Sequence, residues 1–451
     1  MTRRGIDTAG SRGAGVVRRA RGRAAVCVTV LALAVSMGAG ATSSSIAASA
    51  GRRTASATTT GGSPPCVSHV YKAITRRPTA RMTRHALPHR LVVRLDAAAR
   101  ASFRQAATPG AIVGVRTPRG TWTKAYGVAD PATGRPMAVG MHTRIGSVTK
   151  TFTGTVLLQL AQQGRLSLDD PVAKYVAGVP NGRIVTLRQL ADMTSGIASY
   201  TMDSAFTDLY FAHPRRTFYA DHLIDIGLAH SPIFAPGERF DYSNTNFLLL
   251  GKVIEKVTGQ RLGAVFARMV FRPLGLHHTS WPGPSTAMPR PYAQGFTLQG
   301  DAATPQSPSN ATHWNPSWGG AAGEMISSMS DLLTYGRALG TGQGLLRPVT
   351  QAERLRSFPG PAGYGIAMGC SEAWVGHTGE LPGYNTSVFY DTTTDTTVIV
   401  QANSDIASGD CPESPTLSDD PGTLVCSAPA TRMFVALSTA LGHTFVPPPL
   451  R

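Results

Sequence analysis

Apolar residues recur at helical spacing over residues 91–107, and the pattern then changes to short apolar runs. Gly110-Ala111-Ile112-Val113-Gly114-Val115 and Thr121-Trp122-Thr123-Lys124-Ala125-Tyr126 flank Pro118-Arg119-Gly120, which predicts two strands joined by a tight turn. A second helix is predicted over 147–163, stopped by Gly164, and a third from about 246 to 257, ahead of Gly259. Strand signals are sparse between about 180 and 310. They return at 387–390 and 396–400, and a closing helix is predicted over 430–441. The order helix, strands, long helical middle, strands, helix predicts an α+β unit in which both ends of the chain complete one layer. No internal repeat interrupts it.

At 451 residues, 42% of them hydrophobic, the chain is long enough for one large two-part domain or two smaller ones. Its 48 Gly and 32 Pro follow no period, which excludes collagen-like, coiled-coil and wholly disordered classes. The formal charge of +17 raises the question of a polyanionic partner, and its distribution answers it. Residues 1–90 carry 15 Lys/Arg and one acid, Asp7, whereas 91–451 carry 28 basic and 25 acidic residues. The folded body is therefore nearly neutral, and no nucleic-acid partner is expected.

Arg18, Arg19, Arg21 and Arg23 precede an apolar run from Ala24 to Val35 and two clusters of small residues ending at Ala41 and Ala50. That pattern predicts a secretory signal peptide over 1–50, with an apolar run too short to span a bilayer. Residues 51–87, rich in Ser, Thr, Gly, Pro and Arg, are expected to form a basic disordered arm in loose contact with an anionic cell envelope. Of five cysteines, Cys27 would leave with the signal, and Cys66, Cys370, Cys411 and Cys426 allow three pairings. The short loop between Cys411 and Cys426 favours a local bridge, with Cys66 left for Cys370. Their spacing resembles no zinc site, and no metal or cofactor is expected.

Three short segments carry candidate chemistry. Ser147-Val148-Thr149-Lys150 places a hydroxyl and an amine three residues apart at a helix start, where a desolvated lysine can take the serine proton. Tyr242-Ser243-Asn244 adds a phenol that can relay a proton and an amide that can hold a carbonyl. In Gly376-His377-Thr378-Gly379 before Glu380, small residues let a substrate backbone lie on a strand edge beside a backbone N–H. Each alone fits an ordinary helix start, helix cap or strand end.

Together, and in this order, they resemble the serine penicillin-recognising family in its class C β-lactamase and D-alanyl-D-alanine carboxypeptidase branch. The flanks are similar too: Arg144-Ile145-Gly146, Gly164-Arg165-Leu166-Ser167-Leu168-Asp169-Asp170-Pro171, Thr194-Ser195-Gly196, Pro273-Leu274-Gly275-Leu276 and Ala322-Gly323-Glu324-Met325. The resemblance implies a β-lactamase/transpeptidase-like α+β fold over 88–445, an antiparallel sheet flanked by helices, with an all-helical subdomain at about 180–310. It implies that Ser147 is acylated, Lys150 is its base and Tyr242 protonates the leaving group. It further implies that Asn244 binds the substrate amide, Trp318 lines the cleft, and His377, Thr378, Gly379 and Glu380 form the substrate-binding edge. The backbone N–H groups of Ser147 and Glu380 would then make the oxyanion hole.

Two departures bear on substrate. His377 stands where class C enzymes carry lysine, and its charge is expected to titrate near neutrality, giving a pH dependence between about 5 and 8. Residues 366–370 contain no Arg to meet a terminal carboxylate, and Glu380 replaces a small hydroxyl residue. The leading expectation is a secreted, monomeric D-alanyl-D-alanine carboxypeptidase acting on peptidoglycan-type peptides. The alternatives are a related esterase or weak β-lactamase, and a non-catalytic penicillin-binding sensor.

Overall fold

The structure is a computed structural model that describes residues 64–77, 85–360 and 362–447. The expected signal peptide lies outside the described residues. Eight strands form one antiparallel sheet: β1 (Gly110–Thr117), β2 (Gly120–Asp130), β3 (Arg135–Pro136), β4 (Ala362–Gly365), β5 (Met368–Ser371), β6 (Trp374–Leu381), β7 (Tyr384–Asp391) and β8 (Thr396–Ala402). Their order is β3-β2-β1-β8-β7-β6-β5-β4. The predicted hairpin is present, with Thr117 opposite Gly120 across a two-residue turn. The chain's first and last strands meet at the centre of the sheet, where Ala111 pairs with Ala402.

The sheet is apolar on both faces, because helices cover both. Strand alternation sends Ala111, Val113, Val115, Val398, Val400 and Phe389 to one face, under α1 (His89–Phe103) and the closing helix Pro429–Leu441. Ile112, Ile399, Val388 and Tyr390 point the other way, into the larger core that holds α2 (Thr149–Gln162) and α3 (Asn244–Thr258). On that face a helix that the periodicity did not predict, α4 (Met329–Thr341), lies directly on the sheet. α2 is buried nearly all round, from Thr149 to Leu160, as befits a helix at the middle of the molecule. Between 180 and 310 the chain forms short helices and loops, and the one ribbon that it enters pairs Phe296–Thr297 with Ser309–Asn310.

Residues 64–77 correct the expectation of a disordered arm. A short helix, Val70–Ile74, buries Val70 and Ala73 beside Val67, a small apolar face hidden in a polar composition. The Cys66–Cys370 disulfide ties this segment to β5, and the Arg76 guanidinium donates to the Thr392 and Thr393 carbonyls at 3.1 and 2.8 Å. The second disulfide is the local one, Cys411–Cys426.

Candidate active site

Ser147 sits in a single 3-10 turn, Gly146–Val148, that runs into α2. Gly146 has φ +50°, in the left-handed region, and it lets the turn press against the next-to-last residue of β6: a side-chain carbon at Gly146 would fall 2.4 Å from the Glu380 nitrogen. The approach is mutual, since a carbon added at Gly379 would fall 1.9 Å from the Ile145 carbonyl oxygen and 3.1 Å from the Ser147 nitrogen. The backbones that bear the Ser147 and Glu380 N–H groups are thus packed together without intervening side chains. β5 pairs with β6 only as far as Gly376, so β6 from His377 onward is free of that neighbour.

Lys150 is fully buried, and its Nζ lies 3.0 Å from Ser147 Oγ, 2.7 Å from Asn244 Oδ1 and 2.9 Å from the Ala322 carbonyl oxygen. Burial holds its amine well below the ordinary lysine range. A neutral amine has two hydrogens, and Asn244 Oδ1 and the Ala322 oxygen can only accept them. The lone pair is left facing the Ser147 hydroxyl, which is the arrangement a general base requires.

The Tyr242 ring lies over the amine, 4.8 Å from Nζ to the ring centre. Burial drives its phenol up from its ordinary value, and a hydrogen bond with the Ser147 side chain opposes the rise only in part. Tyr242 therefore keeps its proton at neutral pH, as a donor to a leaving group must. Asn244 opens α3, where Lys150 takes its oxygen while its Nδ2 donates to Thr201 Oγ1 at 3.2 Å and its backbone N–H donates to Ser199 Oγ at 3.1 Å. In this state Asn244 positions Lys150, and its second Nδ2 hydrogen is the one left for a substrate amide. Trp318 is buried in a 3-10 turn against Phe206 and Tyr210. Together with Thr201 and Gln299 these rings line a small cavity beside Asn244.

His377 corrects an expectation. Its ring is buried, with Nδ1 against the Thr378 carbonyl oxygen and Nε2 3.0 Å from the Tyr364 hydroxyl. The carbonyl requires a hydrogen on Nδ1, so Nε2 accepts from Tyr364. Burial first, and the nearby Lys150 second, pull the ring down to about 3. It is neutral across the range in which its charge was expected to titrate, and both ring nitrogens are occupied. Thr378 and Glu380 remain partly exposed beyond it on the edge. Tyr364, Ser199, Thr201 and the Ala322 carbonyl are site groups that no motif predicts; only Ala322 lies in a segment that shares the family resemblance.

A serine hydroxyl facing the lone pair of a neutral lysine is the equipment of enzymes that carry an acyl group on serine, and similarity to known proteins narrows that class. The Beta-lactamase family model matches residues 92–415, and the chain belongs to that family. That family lies within the β-lactamase and penicillin-binding superfamily. Protein flp of Staphylococcus aureus (strain NCTC 8325 / PS 47) is 33% identical over 230 residues, covering 50% of this chain and 44% of that protein. The putative penicillin-binding protein PbpX of Bacillus subtilis (strain 168) is 25% identical over 267 residues, 57% and 61% of the two chains. The chain thus spans about half the length of these curated relatives. Among solved structures, a D-stereospecific amidohydrolase from Streptomyces sp. is 35% identical with a TM-score of 0.64, covering 69% of this chain and 94% of that one. A D-amino acid amidase from Ochrobactrum anthropi SV3, 21% identical with a TM-score of 0.66, covering 79% of this chain and 100% of that one, shares the fold.

Proposed function

We propose that the protein is an exported amidohydrolase that forms an acyl-enzyme on Ser147 and cleaves amide or ester bonds whose acyl part is a D-amino acid residue. The observation that carries this reading is the buried Lys150 amine, 3.0 Å from Ser147 Oγ with both of its hydrogens engaged. Ser147 Oγ attacks the substrate carbonyl as its proton passes to Lys150, and the Ser147 and Glu380 backbone N–H groups meet the developing oxyanion. Tyr242 donates a proton to the departing amine or alkoxide, and water then releases the acyl group. The D-configuration rests on likeness to the Streptomyces amidohydrolase. Export rests on the leader-like N-terminus and on two disulfides of the kind that persist in oxidising compartments.

The site favours substrates that end in a neutral group. A free terminal carboxylate needs a cation, yet His377 is neutral and residues 366–370 hold no arginine. D-Alanyl amides and esters are therefore favoured over the D-alanyl-D-alanine carboxylates first expected. Intact mass after incubation with a penicillin tests the acyl-enzyme: an adduct is expected on the native protein and none on Ser147→Ala, and no adduct on either overturns the reading. Turnover of D- and L-amino acid amides, and of one D-peptide ending in amide or carboxylate, tests the substrate. The D-amide is expected to lead by about tenfold or more in kcat/KM. A lead for the carboxylate would restore the carboxypeptidase reading.

A further inference from the structure

Tyr364 is buried beside the site, and the reaction as proposed above has no use for it. It comes from β4, the outermost strand on that side of the sheet, and its hydroxyl lies 3.0 Å from His377 Nε2. Its ring stands edge-on to His377 and Tyr242, with centres 5.5 and 6.3 Å apart, and Phe240 backs it at 5.8 Å. The turn that follows β4 is held from three directions. The Ile366 N–H donates to Ser357 Oγ at 2.9 Å, Arg354 Nε donates to the Ile366 carbonyl at 3.2 Å, and the Ala367 N–H donates to the Ala191 carbonyl at 2.9 Å. Ala367 has φ +54°, a region that alanine enters only at a cost, and a carbon added at Gly154 of α2 would fall 2.1 Å from its methyl. Strain of this kind persists where the surroundings over-determine the backbone, so the hydroxyl of Tyr364 is offered from a fixed seat.

A neutral imidazole has one hydrogen and two nitrogens that can carry it. On Nδ1 the hydrogen of His377 meets the Thr378 carbonyl; on Nε2 it would leave that carbonyl without it. A hydroxyl donates or accepts, whereas a carbonyl only accepts, so both contacts are satisfied together only when Tyr364 gives its hydrogen to Nε2. Burial holds the Tyr364 phenol well above its ordinary range, which keeps that hydrogen in place.

The restraint matters because of Gly379. Its missing side chain lets β6 meet the Ser147 turn, and the same lack leaves its own dihedral angles the freest on the strand. The peptide before it carries the Thr378 carbonyl, and the peptide after it carries the Glu380 N–H. β5 gives no support at this point, since its pairing with β6 ends at Gly376. We propose that Tyr364 is a positioning residue for acyl transfer: by filling His377 Nε2 it confines the ring hydrogen to Nδ1, holds the Thr378–Gly379 peptide, and so keeps the Glu380 N–H aimed at the oxyanion. This rests on the acyl-enzyme reading above.

The test is a double-variant cycle of Tyr364→Phe, His377→Asn and the pair, with KM and kcat for a D-amino acid amide, beside the side-chain nitrogen resonances of His377 in the native protein and in Tyr364→Phe. Phenylalanine keeps the packing on Tyr242 and removes only the hydroxyl. The native ring is expected to carry its hydrogen on Nδ1, and the ring in Tyr364→Phe to carry it partly on Nε2. With that change kcat is expected to fall about tenfold at nearly constant KM, less than the roughly hundredfold loss that follows removal of an oxyanion donor. In the His377→Asn background the same substitution is expected to cost less than about twofold, because the hydroxyl acts only through the ring. A native ring with its hydrogen on Nε2, a ring unchanged in Tyr364→Phe, a native kcat in that variant, or an equal loss in both backgrounds overturns the proposal. Intact mass of the native sample after incubation with a penicillin keeps the two readings apart. Without an adduct the acyl-enzyme reading falls and this inference with it; with one, the outcomes above bear on Tyr364 alone.

Discussion

At the scale of single residues the site is built by desolvation. Lys150 makes three hydrogen bonds and no ion pair among the described residues, so burial alone sets its amine low. Below 10.5 the unfolded chain takes up a proton that the folded one refuses, and stability is lost as pH falls toward the folded value. Lys150→Met is expected to lower kcat/KM by about a thousandfold, within the range of a lost general base. Its melting temperature relative to the native protein should rise as pH falls below 10.5 and converge toward it as pH approaches 10.5. His377 obeys the same sign: its neutral ring contributes stability that is intact above 6.5 and is lost as pH falls toward about 3. Ring proton resonances of His377 are expected not to move between about pH 7 and 5, and acid unfolding of His377→Asn should lack that residue's share. A ring that titrates near 6.5 would restore the charge role first expected of it.

At the scale of elements, glycine does two jobs that the sequence pattern renders unequally. Gly379 belongs to a motif, so its closeness to Ser147 is legible in the chain alone. Gly379→Ala forces the two oxyanion backbones apart and is expected to lower kcat about a hundredfold with the fold retained, read by kinetics beside circular dichroism. Gly336 and Gly340 lie in α4, where they resemble helix breakers. They are in fact the contact face of that helix: a carbon at Gly340 would fall 2.0 Å from the Tyr390 ring, and one at Gly336 2.7 Å from Thr397. Periodicity misses α4 because its packing against β7 and β8, which explains the glycines, is not a local property. The same holds in the site. Ser147, Lys150, Tyr242, Asn244 and His377 are brought together as their motifs imply. Thr201 and Tyr364 have no motif, and only the fold sets them beside Asn244 and His377.

For the whole molecule, the segment 64–77 acts as a strap behind the catalytic edge. The Cys66–Cys370 bond closes a sequence separation of 304 residues onto β5, the strand that pairs with β6, whereas Cys411–Cys426 closes 15. Longer closure restrains the unfolded chain more, so the double variant Cys66→Ser/Cys370→Ser is expected to lose about 5 kcal/mol and Cys411→Ser/Cys426→Ser about 3 kcal/mol, measured by denaturant titration. A disordered arm would give no such difference. Its apolar face is hard to read from sequence because Val67, Val70 and Ala73 are outnumbered there by polar and basic residues.

The pairing of β1 with β8 has a consequence in time. Ala111 finds its partner only at Ala402, so the β1–β2 hairpin gains its neighbour in the sheet after nearly the whole polypeptide has been synthesised. A sheet whose central ladder joins such distant residues closes late and slowly. On the export route proposed above, that delay is useful: the catalytic body cannot lock before the strand that completes its sheet has followed the first half across.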